Sequence, residues 1–479
     1  VVEPISPKAL PGRSGQRGTR DRGAGSDRSR VATAVLFGLA LCSWTASALV
    51  LSGAEMLGHD EARYALSARD WIAGHAVRWN YVPYGMNLIA APGVAAGGGP
   101  HALRAVSVVL GIGFVLAAAH LARRVASART AAWLVATLAG TASIVKRSGE
   151  LLSDLPAALF LVLAITLLVE EIDRTDDGPR WRIVAVAPLL AAAFYVRYGT
   201  CIPIAMIGVA AVAVGWRTIA ARPAPAIATV ALLAVLLVPH VAMSIRLTGS
   251  ALGIVREGST LMGAGFASSL VTYTTSNPFT YFGLTAPVLV AGVLSIVRIR
   301  DRRRGLVWAI AILDILALGL VPLAAVRFLV VGLALLALLG IDAIERAVAV
   351  RSPRVRGWVA ALAAVALVAA WVESDLAAYL LATTARTRAA RTVLAADAIR
   401  RDAAGAPCEV LGRHTTQLEW YSGCETVLIT TADEIRRMRI YVVFEPHSEY
   451  QPRMESLPSA KRIAIVDRGD MTVTRLDPP

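Results

Sequence analysis

Apolar runs of membrane length recur along most of this chain, separated by short basic loops. A helix satisfies its own backbone hydrogen bonds, so repeated runs near the roughly 20 residues of a bilayer dictate a bundle of transmembrane helices. The candidate spans are 31–51, 102–120, 130–145, 155–170, 183–196, 200–215, 225–245, 280–297, 305–322, 327–345 and 357–374, about eleven in all. Around Tyr195-Val196-Arg197-Tyr198 the pattern reads in two ways: two short helices meeting near one face, or one long kinked helix. Composition agrees with the class, since only 17% of residues are charged against about 25% in soluble domains. A net charge of +14 would suggest nucleic acid in a soluble protein. Here the Lys and Arg sit in loops and no nucleic-acid motif is present, which points to topology and anionic lipid.

The segment 1–30 is rich in Gly, Ser and Arg and reads as a disordered basic cytoplasmic tail. Ala46-Ser47-Ala48 resembles a signal-peptidase site. The run before it exceeds the roughly 7–15 residues of a signal core, so it reads as an uncleaved first span. Placing the N-terminus inside puts Arg123, Arg124 and Arg129 in the cytoplasm, with Arg174, Arg180 and Arg182, Arg217 and Arg222, Arg298, Arg300, Arg302, Arg303 and Arg304, and Arg346, Arg351, Arg354 and Arg356. Two long loops, near 52–100 and 246–278, then lie outside. So do residues 376–479, read as a small extracytoplasmic α/β domain behind the 31–375 membrane domain. That domain is expected to hold a helix over about 384–402 and short strands near 409–411, 426–429, 440–444, 463–466 and 471–474. Cys408 and Cys424 are expected to pair, being placed in an oxidising compartment.

Chemistry concentrates in the outer loops. Gly58-His59-Asp60-Glu61-Ala62-Arg63-Tyr64 presents two adjacent carboxylates beside an arginine. The plain reading is helix capping, with acids favoured by the helix dipole. Lys146-Arg147-Ser148-Gly149-Glu150 leads to Asp154 and Pro156, again a plausible helix start. Two loops on one face both set acid beside base, as needed to deprotonate a hydroxyl, bind a metal or hold a phosphate by forked hydrogen bonds. Arg197 interrupts an apolar stretch, and Arg327 opens a late span; each is either functional or snorkelling to the interface.

The order Asp60-Glu61-Ala62-Arg63-Tyr64, Ala68-Arg69 and Gly74 resembles the first-loop motif of GT-C glycosyltransferases. These are the relatives of protein O-mannosyltransferase and of the lipid A aminoarabinose transferase. Gly149–Asp154 with Pro156 is similar to their second acidic motif. Tyr195–Gly199 is similar to a basic element and Arg327-Phe328-Leu329 to a late-span element, so the resemblance covers roughly 31–345. It implies transfer of a sugar from a polyprenyl-phosphate donor to a protein, lipid or glycan acceptor on the extracytoplasmic face of the cytoplasmic membrane. It assigns Asp60 as general base, Glu61 and Asp154 as further acids of the site, and Arg63, Arg147, Arg197 and Arg327 as phosphate ligands. No lysine lies between Asn80 and Gly93, a departure from the aminoarabinose branch. Metal use varies across the superfamily, so a divalent ion stays open, with His59 either a ligand or a polar loop residue. The competing class is a transporter or flippase, which would place its ionisable groups near the midplane between inverted repeats.

Overall fold

The computed structural model describes residues 21–53, 56–75, 79–172, 181–260, 269, 273, 285–321, 325–412, 414–427, 437–444, 461–468 and 471–477. The helices are α1 (Asp21–Ser52), α2 (His59–Ile72), α3 (Tyr84–Ala95), α4 (Pro100–Val125), α5 (Ala128–Ala139), α6 (Ala142–Ser148), α7 (Asp154–Ile172), α8 (Val186–Val196), α9 (Cys201–Ala221) and α10 (Pro223–Thr248). They continue as α11 (Gly253–Thr260), α12 (Ala286–Leu294), α13 (Arg302–Gly319), α14 (Val330–Ala349), α15 (Pro353–Ala403) and α16 (Thr415–Ser422). The first twenty residues, expected as a tail, lie outside the described residues.

Over its described residues each apolar run is mainly helical, but not each becomes a full span; 280–284 and 322 lie outside the described residues. Among the described residues seven helices are long and apolar enough to cross a membrane, or eight with the broken pair α5–α6 counted once. The expected eleven therefore include shorter helices, among them Trp181–Val196 and Ala286–Arg298. The break between α5 and α6 bends the chain by 83°. It falls at Gly140-Thr141, where Trp371 of α15 lies close and donates its indole N–H to the Ala136 carbonyl at 2.8 Å. The Ala136 carbonyl still accepts the Gly140 N–H at 3.1 Å, and the ladder breaks one residue on, where the Thr141 N–H bonds the Leu138 carbonyl three residues back. The stretch around Arg197 resolves as two helices, α8 and α9, joined by a 3-10 turn at Tyr198–Thr200.

Burial orders the bundle. The apolar window of α14 is 83% buried, whereas those of α10 and α15 are 6% and 11% buried. Helices that are apolar yet uncovered are the ones that face lipid. At the centre, Gly292 of α12 and Gly340 of α14 sit against the opposite backbone with no room for a side chain. Small residues of this kind let transmembrane helices approach closely.

The basic loops gather at one end. Glu170 at the end of α7 takes Arg124 at 2.8 Å and Arg182 at 3.3 Å. Asp342 near the end of α14 takes Arg304 and Arg346, each at 2.7 Å.

Helix α15 is 51 residues long, about 76 Å at 1.5 Å per residue. It joins what reads as a last span (357–374) and a separate helix (384–402) into one rod, so the 375/376 boundary falls inside a helix. Ala395, Ala396 and Ile399 of its tail pack on a five-stranded sheet. The strands are β1 (Cys408–Leu411), β2 (Glu425–Thr426), β3 (Arg439–Phe444), β4 (Lys461–Asp467) and β5 (Thr472–Asp477), in the order β2-β1-β3-β5-β4. The β1 strand pairs in parallel with β2 and β3, and β5 runs antiparallel to β3 and β4. Cys408 and Cys424 form the expected disulfide, with Cα atoms 4.8 Å apart.

Candidate functional site

The N-terminal end of α7, the C-terminal end of α13 and the start of α14 meet beside α2, at the end of the bundle opposite the basic loops. They enclose a cavity of about 370 Å³ whose wall holds Asp60, Arg63, Asp154, Arg197 and Arg327. Five of the seven residues singled out from sequence thus converge from four distant segments, which helix capping alone would not require.

Asp60 lies in the first turn of α2, and its side chain is about a third exposed. Among the described residues its two carboxylate oxygens have only long contacts, Arg327 Nη1 at 3.4 Å and Arg63 Nη1 at 3.9 Å. An accessible acid with loosely held lone pairs can take a proton. Asp154 is the opposite case, with a side chain only 1% exposed. One oxygen accepts from Arg197 Nη1 at 2.7 Å, and Oδ2 has no hydrogen-bond partner among the described residues. Arg197 Nη1 also donates to Ser153 Oγ at 3.1 Å. Asp154 therefore holds Arg197 in place while keeping one acceptor unused.

Aromatic rings orient the cations. The guanidinium groups of Arg197 and Arg327 lie 4.7 and 5.5 Å from the Phe328 ring. That of Arg63 lies 5.2 Å from Tyr81 and 5.9 Å from Trp79. Stacking on ring faces leaves the donor edges of a guanidinium free for an anion. Burial, and next the charge of Asp60, push the Tyr64 phenol above its usual range, so it stays a donor on the cavity wall.

Two expected site residues lie elsewhere. Glu61 is 3% exposed and outside the cavity lining. Its carboxylate accepts both Arg104 Nε and Nη2 at 2.8 Å, the Gly58 N–H at 2.6 Å and the Leu151 N–H at 2.7 Å. With its oxygens so engaged, it ties α2 to α4 and to the approach to α7. Arg147 also misses the cavity, because Glu150 three residues on takes its Nη1 at 2.7 Å.

Sequence reading passed over other residues here. Asp314 in α13 is 1% exposed and on the cavity wall, with Oδ1 unpartnered among the described residues. A lone acid in an apolar run was the available signal. Arg104, one turn into an apolar run, carried the same signal. Tyr64 and Tyr81 offered none beyond their place in the loop.

Among the described residues no three His, Cys, Asp or Glu side chains are grouped to hold a metal ion. Asp60 and Asp154 are matched to arginines instead.

With its helices set in this order, a loop helix after the first span and a small terminal domain, the chain has the GT-C fold and is a multi-pass membrane protein. Within that fold it is similar over 92% of its length to ArnT from Cupriavidus metallidurans bound to undecaprenyl phosphate, covering 97% of that chain at TM-score 0.71 and 16% identity. It is also similar to the apo oligosaccharyltransferase of Archaeoglobus fulgidus, with TM-score 0.54, 13% identity, and coverage of 85% of this chain and 69% of that one. No protein-family model and no curated protein sequence matches the chain.

Proposed function

We propose that this chain is a membrane glycosyltransferase that moves a sugar from a polyprenyl-phosphate donor to an acceptor hydroxyl outside the cytoplasmic membrane. The observation that carries the reading is the convergence of Asp60 and Asp154 with Arg63, Arg197 and Arg327 on one cavity. The structural likeness to ArnT bound to undecaprenyl phosphate supports a lipid-phosphate donor. The basic loops at the far end of the same helices support a cytoplasmic end there and an outward cavity.

The chemistry follows from the geometry. Asp60 takes the proton of the acceptor hydroxyl as its oxygen bonds to the anomeric carbon. The bond from that carbon to the phosphate oxygen breaks, and polyprenyl phosphate leaves with the electron pair. The guanidinium groups of Arg63, Arg197 and Arg327 are disposed to stabilise the negative charge on the leaving phosphate. Apolar side chains of α7, α13 and α14, including Leu161, Leu318 and Val331, line the rest of the cavity and suit a prenyl chain. One base and a few cations suffice because the donor already carries its leaving group.

Membranes with and without the protein, supplied with labelled polyprenyl-phosphate sugars, test the reading. Label passing to an acceptor only when the protein is present supports it. Equal incorporation in both, across donors of different sugars, contradicts it.

A further inference from the structure

Helix α16 of the C-terminal domain rests on α2, the helix that carries Asp60 and Arg63. Tyr421 accepts the Leu57 N–H through its hydroxyl at 2.9 Å, and Trp420 lies 5.7 Å from the Arg69 guanidinium. Trp420 also covers Gly98, ahead of α4, leaving no room for a side chain there. The polar link to the start of α2 itself is Thr416, which is 3% exposed. Its hydroxyl oxygen lies 3.0 Å from His59 Nδ1 and 3.0 Å from the His59 carbonyl oxygen. On the other side of the same ring, His59 Nε2 contacts Arg63 Nη2.

The hydrogen-bond roles along this chain are determined. A guanidinium only donates, so His59 Nε2 must offer its lone pair to Arg63. The neutral ring then carries its proton on Nδ1 and donates it to Thr416 Oγ1. The Thr416 proton is left for the His59 carbonyl or for Gln417 Oε1 at 3.2 Å, both of them acceptors. Arg63 thus selects the imidazole tautomer, and Thr416 takes the proton that this tautomer carries on Nδ1, holding the ring that in turn holds Arg63. The disulfide Cys408–Cys424 closes the loop that contains α16, so the element that delivers Thr416 is itself tied.

We infer that α16 is part of the active-site framework, with Thr416 a positioning residue that sets Arg63 through His59. The inference rests on the glycosyltransferase reading for its kinetic consequence, because Arg63 is there a ligand of the donor phosphate. It gives the C-terminal domain a role in donor binding besides any role in acceptor binding.

The test compares Thr416→Val, which keeps shape and removes the hydroxyl, with Thr416→Ser, which keeps the hydroxyl. Both are made in the parent and in a His59→Ala background. Thr416→Val should raise KM for the polyprenyl-phosphate sugar about three- to tenfold, the size of one lost hydrogen bond, with kcat changed less. Thr416→Ser should stay within about twofold of the parent, and Thr416→Val should have no further effect once His59 is Ala. A domain that only supports the fold would lower the active fraction and kcat while leaving KM alone. A Thr416→Val KM equal to the parent's, or an equal loss in both backgrounds, overturns the inference. If the parent transfers from no donor, it is the glycosyltransferase reading that fails. Amide hydrogen exchange over 59–66 then still decides the coupling: faster exchange in Thr416→Val but not Thr416→Ser supports it, and unchanged exchange overturns it.

Discussion

Replacing Arg104 by Ala should destabilise the protein even though Arg104 lies outside the cavity lining. Both members of the Arg104–Glu61 pair have side chains only 3% exposed. The guanidinium makes two 2.8 Å bonds to the carboxylate and also donates to the carbonyls of Ser52 at 3.2 Å and Met56 at 2.8 Å. Removing it leaves a buried carboxylate with two backbone N–H donors and no counter-charge. Breaking a buried pair from one side costs about 3–5 kcal/mol. At roughly 2.1 cal/mol/K per residue, a chain of this length has an unfolding entropy of about 1 kcal/mol/K, so the midpoint falls by about 3–5 °C if it unfolds as one unit. Thermal unfolding of the purified protein in detergent, followed by size-exclusion of the soluble fraction, reads this. Arg104→Met combined with Glu61→Gln should recover part of the loss, since both charges are then gone. If Arg104→Ala melts with the parent, or if Glu61→Gln keeps full stability and loses only transfer, then Glu61 is a reacting group and its assignment to the scaffold is wrong.

Arg327→Met should act differently, raising KM for the donor while stability changes by less than about 1 kcal/mol, because its 3.4 Å pair with Asp60 is partly exposed; an unchanged KM would remove Arg327 from the phosphate site. Replacing Cys408 and Cys424 by Ser should destabilise the C-terminal sheet by about 3 kcal/mol, the expectation for a loop near 15 residues, against the 16-residue separation here; limited proteolysis of that domain checks it. Asp402 accepts Arg475 Nη1 at 2.8 Å and the Tyr441 hydroxyl at 2.7 Å. Burial works against its charge, but these bonds and the arginine charges outweigh it and hold the carboxyl below its ordinary 3.8. Its stabilisation is therefore complete above that pH and is lost as pH falls through the lower folded value. Asp402→Asn should accordingly cost about 1.5–3 kcal/mol at pH 7, with the gap to the parent closing in acid, as unfolding curves at pH 7 and pH 3 would show.

Much of this was legible along the chain because apolar period and length are local properties. The helices follow the runs, and the two acidic loops fall on one face because both lead out of helices that run the same way. What was not legible depends on partners far off in sequence. Glu61 reads like Asp60 until Arg104 arrives from α4 to engage it. The capping reading of this segment held for Glu61, which accepts the Gly58 N–H, but the sequence did not tell which of the two acids caps and which faces the cavity. Arg147 was drawn into the site by its neighbours and is claimed instead by Glu150. The single rod α15 was within reach, since no Gly or Pro stands between Gly357 and Gly405. A fall in hydropathy after Ser374 suggested a boundary where the backbone has none. The docking of α16 on α2 had no sequence signal, as Thr416 and His59 are brought together only by the tertiary fold.

The central claim is that Asp60 removes the acceptor proton while the arginines hold the lipid phosphate. The most direct measurement is release of polyprenyl phosphate by purified protein from a panel of labelled polyprenyl-phosphate sugars, with a cell-envelope extract supplying acceptor hydroxyls, in parent and Asp60→Asn. The account predicts release by the parent with at least one sugar. In Asp60→Asn, donor binding and thermal stability are kept and the rate falls by about 10²–10⁴, the typical contribution of a general base. Release at the parental rate from Asp60→Asn would contradict it.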